Sequence, residues 1–594
     1  MRSHSLRLAA VPALSVGAFS IVVTTISVAG ITLSEGSIRG ASAALVVSAT
    51  LVACRLVPHQ ASASEAGFRA REGLLVAVIV VVFAYGVSSA WDIVDPFPPP
   101  GSDWAYYLLY AEQVESQGSI FVANPYDVDR HPFSTQPAVG ALYGSALILD
   151  GVSPQSLARG ATVASALAPL STIAAVGTLW GTGAGLFAGA IYVVAPIRFE
   201  PIGWHGLAMM LALGFMPLVV LALGLMYRGD RSVRVPLLLG FATAGTLVAH
   251  LTSALVVAVW IVAVLTIEVL RVVSSRLRAV STRTRGAGAS RSGIIVPVLG
   301  SMLVALLIAA AGMMHTGRQV RAFGAPVSHQ YFDAQWLGWS TLEYYYSWPF
   351  LVLVAVSCVG ALVSRELLRD GALLSVLSLT VAALFMSQLW RLSVAFEYRR
   401  VTYYLGVALV ALIGAASTRL RLTLPTVLAC LVVVLYLAHV SIGLALPKRL
   451  LMGAKEEPRI WWIEMSQLID ELERIDPQHN AVLVADGCLG NRVPYFLRRR
   501  TLIGFDEAAV GFSALLPNAR LARGVLQGDE ESIRVARELG ARLVVAEQRC
   551  TPHLAGAFSE SVLLAGRELI VVALPSANHA SREGASGQPN RYRG

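Results

Sequence analysis

Three short stretches of this 594-residue chain bring together side chains that suit chemistry at a membrane surface. The first is WDIVDPFPPPGSDWAYYLLYAEQVESQGSIFVANPYDVDRHPFSTQP, residues 91–137. Pro96 and Pro98–Pro100 form a stiff lead that cannot be helical. Gly101-Ser102 then offers a turn and an N-cap, and a helix is predicted from Asp103 to about Gln117. In the first turn of that helix, free backbone N–H groups and the helix dipole favour the ionised form of Asp103. Such a carboxylate suits a general base or a cation ligand, while a plain helix-capping acid is the other reading. Trp104, Leu108, Ala111 and Val114 make one apolar stripe, which predicts a helix lying at the membrane surface. Gly118 stops the helix and Asn124-Pro125-Tyr126 turns the chain back. Asp92, Asp95, Asp127 and Asp129 read as solvated loop acids.

The second stretch, APIRFEPIGWHG, carries the acid Glu200 with Trp204 and His205, which could line a sugar site because aromatic faces pack on pyranose rings. An interfacial tryptophan anchor beside a histidine reaching water is the alternative. The third, QLWRLSVAFEYRRVTYYLG, sets Arg391, Arg399 and Arg400 at an outer boundary where arginine is disfavoured. Guanidinium groups there can grip an anionic phosphate bidentately, or can pair with Glu397 and snorkel. His250 falls between two apolar runs, at a predicted outer re-entrant turn, as a lining residue or a satisfied core histidine. In 313–348, His315, Arg318, Arg321, Asp333, Trp336, Trp339, Glu343 and Tyr344–Tyr346 suit either a headgroup lining or an interfacial aromatic belt.

The elements that must position these residues are membrane helices. The chain is 55% hydrophobic and only 14% charged, against about a quarter charged for soluble domains. That composition excludes a soluble enzyme, a disordered chain and a nucleic-acid binder. Apolar runs near 20 residues lie at 8–30, 38–54, 73–90, 156–179, 181–198, 204–227, 235–249, 252–272, 293–312, 349–364, 371–389, 401–417 and 423–446, about thirteen spans in all. The run 138–150 is too short and reads as a re-entrant or interfacial helix. The net charge of +9 rests almost wholly on arginine, with Lys448 and Lys455 the only lysines, which points to a GC-rich genome such as an actinobacterial one. Arginines cluster at 55–71, 228–234, 276–291, 365–369 and 419–421, which marks those loops as cytoplasmic. The N-terminus is then inside, and 91–137, 313–348 and everything after 447 are outside, at the plasma membrane. Ser27-Val28-Ala29 resembles a signal-peptide cleavage site, but the apolar run before it is long and favours an uncleaved anchor.

From about Lys455 the charge density rises, and 447–575 reads as a small extracytoplasmic α/β domain followed by a polar, disordered tail, 576–594. Strands are expected at Ala481–Ala485, Thr501–Phe505, Arg542–Ala546 and Glu568–Leu574, and helices at 459–474 and 529–539. Cys488 and Cys550 both fall in this oxidising compartment and are candidates for a disulfide, whereas Cys54, Cys358 and Cys430 lie in spans. Zinc-ligand spacings and phosphate-binding loops are missing from the sequence.

Asp103, Tyr107, Ala111, Gly118, Asn124-Pro125-Tyr126 and the Pro-ended entry to the next helix resemble the first extracytoplasmic loop of GT-C glycosyltransferases, a likeness of about 35 residues. The many spans and the soluble C-terminal domain resemble that family as well. The resemblance implies transfer of a sugar from a polyprenyl-phosphate carrier to a cell-envelope acceptor (glycan, lipid or protein), with the bilayer as the other partner and no nucleic acid. It implies that Asp103 is the catalytic base or a metal-binding acid and that Glu200 stands where the family's second acid follows, often as Asp. Arg399, Arg400 and Arg391 would bind the donor phosphate, and Tyr107, Trp204, His205 and His250 would line the sugar or acceptor. The cofactor is open, a divalent cation (Mg, Mn or Ca) at Asp103 and Glu200 being the candidate. Three spans precede the acidic loop, where most members carry one. A lipid or polysaccharide transporter or flippase, or a polymerase or ligase of another membrane fold, is the alternative reading.

Overall fold

A computed structural model describes residues 4–43, 65–94, 99, 101, 103–133, 135–281, 293–324, 339–388, 400–418, 458–490, 492–502 and 515–574. The chain divides into two compact units, one of 1–122, 133–321 and 328–454, the other of 123–132, 322–327 and 455–594.

The first unit is helical. Among the described residues, five helices are long and apolar enough to cross a membrane: Leu8–Val28, Gly73–Trp91, Gln155–Trp180, Leu207–Tyr227 and Leu251–Ser274. Two bent pairs, Thr182–Val194 with Pro196–Gly203 and Ile295–Ile308 with Ala310–Phe323, raise the number to seven if each is one span. The expected thirteen spans are therefore not confirmed. Arg234–Ala249, Trp348–Val363, Gly371–Met386 and Val401–Ser417 form as expected helices but have only 16 or 17 residues. At 1.5 Å per residue they reach about 25 Å, short of a bilayer core of about 30 Å. Most of 38–54 and all of 423–446 lie outside the described residues.

Leu207–Tyr227 is apolar on every face and is buried along its length, as a central helix must be. Around it pack Pro154–Trp180, Arg234–Ala249 and Gly371–Met386. Small residues allow close approach between neighbours: a Cβ on Gly185 would stand 2.6 Å from the Cα of Gly177. At one end of the bundle, Asp370 caps Gly371–Met386 through the Ala372 N–H and accepts Nε–H of Arg228 at 2.9 Å and the indole N–H of Trp180 at 2.9 Å. Burial acts to raise the Asp370 carboxyl, but these donors together hold it below its ordinary value.

The acidic-loop helix runs Asp103–Gln117 and ends at Gly118, whose φ of 62° is left-handed. It is not a surface helix with one apolar stripe. Ala105, Tyr106, Tyr107 and Tyr110 are buried as well as Trp104, Leu108, Ala111 and Val114, because three tyrosines can bury their rings while their hydroxyls find partners. Tyr110 does so by donating to the Ile120 carbonyl at 2.8 Å. After Gly118 the chain is tied to the first helix, the Ile120 N–H donating to Ser27 Oγ at 3.0 Å. The short run after Pro137 is helical through a π-turn, Gly140–Gly144, and ends at Gly151 in a left-handed cap.

The second unit holds a five-stranded sheet in the order β2-β1-β3-β5-β4, with β1 Val482–Ala485, β2 Arg500–Thr501, β3 Ala541–Glu547, β4 Val562–Ala565 and β5 Leu569–Ala573. β1 runs parallel to β2 and β3, while β5 is antiparallel to β3 and β4. Helices Pro458–Ile475, Arg492–Leu497, Leu516–Leu526 and Glu530–Glu538 belong to the same unit. Trp461, Met465, Leu468 and Leu472 of the first share a core with Leu483, Val545 and Val571, while Ala522, Val525 and Ala536 of the last two share another with Val484 and Val544. Residues 123–132 of the acidic loop also belong here. Thr501 donates its N–H to the Tyr126 carbonyl at 2.8 Å, and Asp127 bridges to Thr501, so the loop covers the β2 edge.

Just beyond the carboxyl ends of β1 and β3, Cys488 and Cys550 are joined by a disulfide across 62 residues of sequence. Beside it Arg492, fully buried, lies 3.7 Å from Glu547 and donates to the Cys488 carbonyl at 3.2 Å. Burial pushes that guanidinium down to about 9, with Arg549 adding to the shift. Replacing both cysteines with serine is expected to destabilise this unit by about 4 kcal/mol, from the loop entropy released on unfolding. Thermal unfolding of the purified protein in detergent, wild type against the double variant, checks it.

Candidate functional site

The segment that carries Glu200 is short and bent. Pro196 starts the helix Pro196–Gly203, Pro201 sits inside it, and it meets Thr182–Val194 at 44°. It is fixed by Arg198, a buried guanidinium that donates to the Val193 carbonyl at 3.0 Å, to Ser165 Oγ at 2.8 Å and to the Gly86 carbonyl. Two residues on, Glu200 accepts the indole N–H of Trp204 at 2.8 Å and the hydroxyl of Tyr403, both on Oε2. The first contact joins residues four apart, the spacing at which helical side chains meet.

Tyr403 comes from Val401–Ser417, which Arg400 precedes as N-cap. The Arg400 guanidinium carbon lies 5.9 Å from the centre of the Trp204 ring, within cation–π range. Its Nη1 lies 3.3 Å from Nε2 of His250, whose Nδ1 meets Ser253 Oγ at 2.8 Å; Ser253 in turn meets the Tyr404 hydroxyl at 2.7 Å. His250 stands in extended conformation between Arg234–Ala249 and Leu251–Ser281, where the two helices break.

Asp103 reaches the same place from the acidic loop. A Cβ on Gly101 would stand 2.6 Å from backbone atoms of Trp204, so the chain entering the Asp103 helix lies directly on the Trp204 turn; its φ of 74° also calls for glycine. Tyr107, one turn along, donates to Asp103 at 3.4 Å, and its ring centre is 6.2 Å from that of His205.

The structure thus brings Asp103, Tyr107, Glu200, Trp204, His205, His250 and Arg400 into one linked cluster. Arg391 and Arg399 lie outside the described residues. Tyr403, Tyr404, Ser253 and Arg198 are neighbours of this cluster that sequence reasoning missed. The signal for the tyrosines was present, since residues three and four beyond Arg400 share its helix face. Asp127 is not a solvated acid: it is buried, lies 3.0 Å from His131 through Oδ2, and burial raises its carboxyl above the ordinary value. His315 and Gln319 also turn inward, Gln319 donating to the Thr135 and Phe133 carbonyls.

Neither Asp103 nor Glu200 belongs to a group of three converging ligand atoms among the described residues. Oε2 of Glu200 already holds two hydrogen-bond donors, with a guanidinium close to the same tryptophan. Among the described residues, three ligand atoms converge only at Asp127, Asp129 and His131, and at Asp486 with the two disulfide cysteines. Both groups belong to the other unit.

No protein-family model and no curated protein matches the chain. Among solved structures, ArnT from Cupriavidus metallidurans bound to undecaprenyl phosphate is similar at 15% identity and a TM-score of 0.50, over 86% of this chain and 99% of that one. ArnT in the apo state gives 15% identity and a TM-score of 0.51, over 85% and 98%. The archaeal oligosaccharyltransferase AglB from Archaeoglobus fulgidus, in complex with an inhibitory peptide and a dolichol-phosphate, aligns at 13% identity and a TM-score of 0.48, over 82% and 71%. The likeness to ArnT is one of fold.

Arg198→Ala would strand several buried carbonyl and hydroxyl acceptors at once, and is expected to cost about 3–5 kcal/mol. A large drop in the unfolding temperature in detergent, relative to a surface control such as Arg365→Ala, is the corresponding measurement.

Proposed function

We propose that this chain is an integral membrane glycosyltransferase that moves a sugar from a polyprenyl-phosphate carrier to an acceptor hydroxyl of the cell envelope. The observation that carries the reading is the single cluster in which the chain entering the Asp103 helix lies on the Trp204 turn, Trp204 holds Glu200, and the Arg400 guanidinium lies near the Trp204 ring. Supporting it are the fold likeness to a protein whose structure holds undecaprenyl phosphate and the resemblance of the acidic loop to GT-C enzymes.

In this reading the acceptor oxygen attacks the anomeric carbon and its proton passes to Asp103, held ionised at a helix N-terminus. The bond between the anomeric carbon and the phosphate oxygen breaks, and the electron pair leaves with the lipid phosphate. Arg400 meets that charge, together with Arg399 and Arg391, to which the sequence gives the same task. Glu200, braced by Trp204 and Tyr403, orients the acceptor. Tyr107, Trp204 and His250 line the sugar. The C-terminal unit stands outside the plasma membrane and binds the acceptor glycan or polypeptide.

The test is sugar transfer by purified protein in liposomes, supplied with radiolabelled polyprenyl-phosphate sugars and envelope acceptors. Asp103→Asn keeps size and removes charge, and is expected to lower kcat about 10²–10⁴-fold while the protein stays folded. Unchanged transfer would remove Asp103 from the chemistry. No transfer by wild type with any donor would favour the transporter reading.

A further inference from the structure

His205 is held in an unusual state. Its backbone φ is 64°, in the left-handed region that few non-glycine residues adopt, histidine being among the more tolerant, and its side chain is fully buried. The hydrogen bonds around the ring fix its tautomer. Tyr143 spends its one proton on the Leu157 carbonyl at 2.5 Å, so its oxygen can only accept from His205 Nε2–H, 3.4 Å away. Nδ1 is therefore the ring's lone-pair acceptor, and among the described residues it is a buried atom with no hydrogen-bond partner.

A buried acceptor without a donor is unfavourable, and native structures keep few of them without a reason. The ring adjoins Trp204 in sequence and Tyr107 in space, the latter linked to Asp103. We infer that His205 Nδ1 accepts a hydrogen bond from a hydroxyl of the transferred sugar and so selects the donor sugar. This inference rests on the glycosyltransferase reading and assigns a specificity role to one atom of that site.

Two substitutions separate the role from the fold. His205→Gly removes the acceptor and accommodates the positive φ. His205→Asn keeps a side-chain acceptor near the position of Nδ1 and tolerates positive φ. With polyprenyl-phosphate mannose, glucose and arabinose as donors, the donor that wild type uses should show KM raised about tenfold in His205→Gly, kcat within about twofold, and KM recovered in His205→Asn. Wild type should also discriminate against one monodeoxy analogue of that donor, and His205→Gly should not. KM unchanged in His205→Gly, as a site filled by ordered water would give, overturns the inference while leaving the enzyme reading intact. If neither variant folds, equal use of every monodeoxy analogue by wild type overturns it. Absence of transfer by wild type with all three donors overturns the enzyme reading, and this inference with it.

Discussion

The buried guanidinium of Arg198 is the interaction on which the rest of the site depends. It reaches Gly86 and Ser89 in one helix, Ser165 in a second and Val193 in a third, and belongs itself to the short helix that presents Glu200. Burying a charge costs several kcal/mol unless its donors are satisfied, so this arrangement holds only when all of those helices are in place. Coupling of that kind turns a proline-broken, eight-residue segment into a rigid platform. In the proposed function, where Glu200 orients the acceptor, such rigidity matters because misplacement by about 1 Å can cost a hundredfold in rate.

From that platform the cluster grows outward by short-range contacts. Trp204 lies against the backbone of the acidic-loop entry on one side and approaches Arg400 on the other, while its N–H holds Glu200. An acid, an aromatic face and a cation are thereby set within a few side chains of each other. Such a grouping suits a reaction in which an acceptor hydroxyl gives up its proton as it attacks an anomeric carbon and a phosphate leaves that same carbon.

Much of this was legible in the sequence, for physical reasons that differ by element. The Asp103 helix could be bounded because a proline run, a turn and a stop glycine frame it, and Asp103–Tyr107 and Glu200–Trp204 announce themselves by four-residue spacing. The strands β1, β3 and β5 were visible as apolar runs, whereas β4 is four residues long and half exposed and gave no such signal. Arg198 was not legible: its partners lie 33 to 112 residues away or are backbone carbonyls, and no local pattern encodes them. The burial of the acidic-loop helix was missed for a related reason, since its tyrosines read as a polar face until partners are found for their hydroxyls. Helix lengths were less legible, because apolar composition marks burial in a bundle as readily as it marks a span.

The most direct test of the account is an experimental structure of the protein with undecaprenyl phosphate in nanodiscs. The account predicts phosphate density within about 4 Å of the Arg400 guanidinium, beside Trp204. Phosphate resolved elsewhere, with Arg400 still turned to His250, would contradict it.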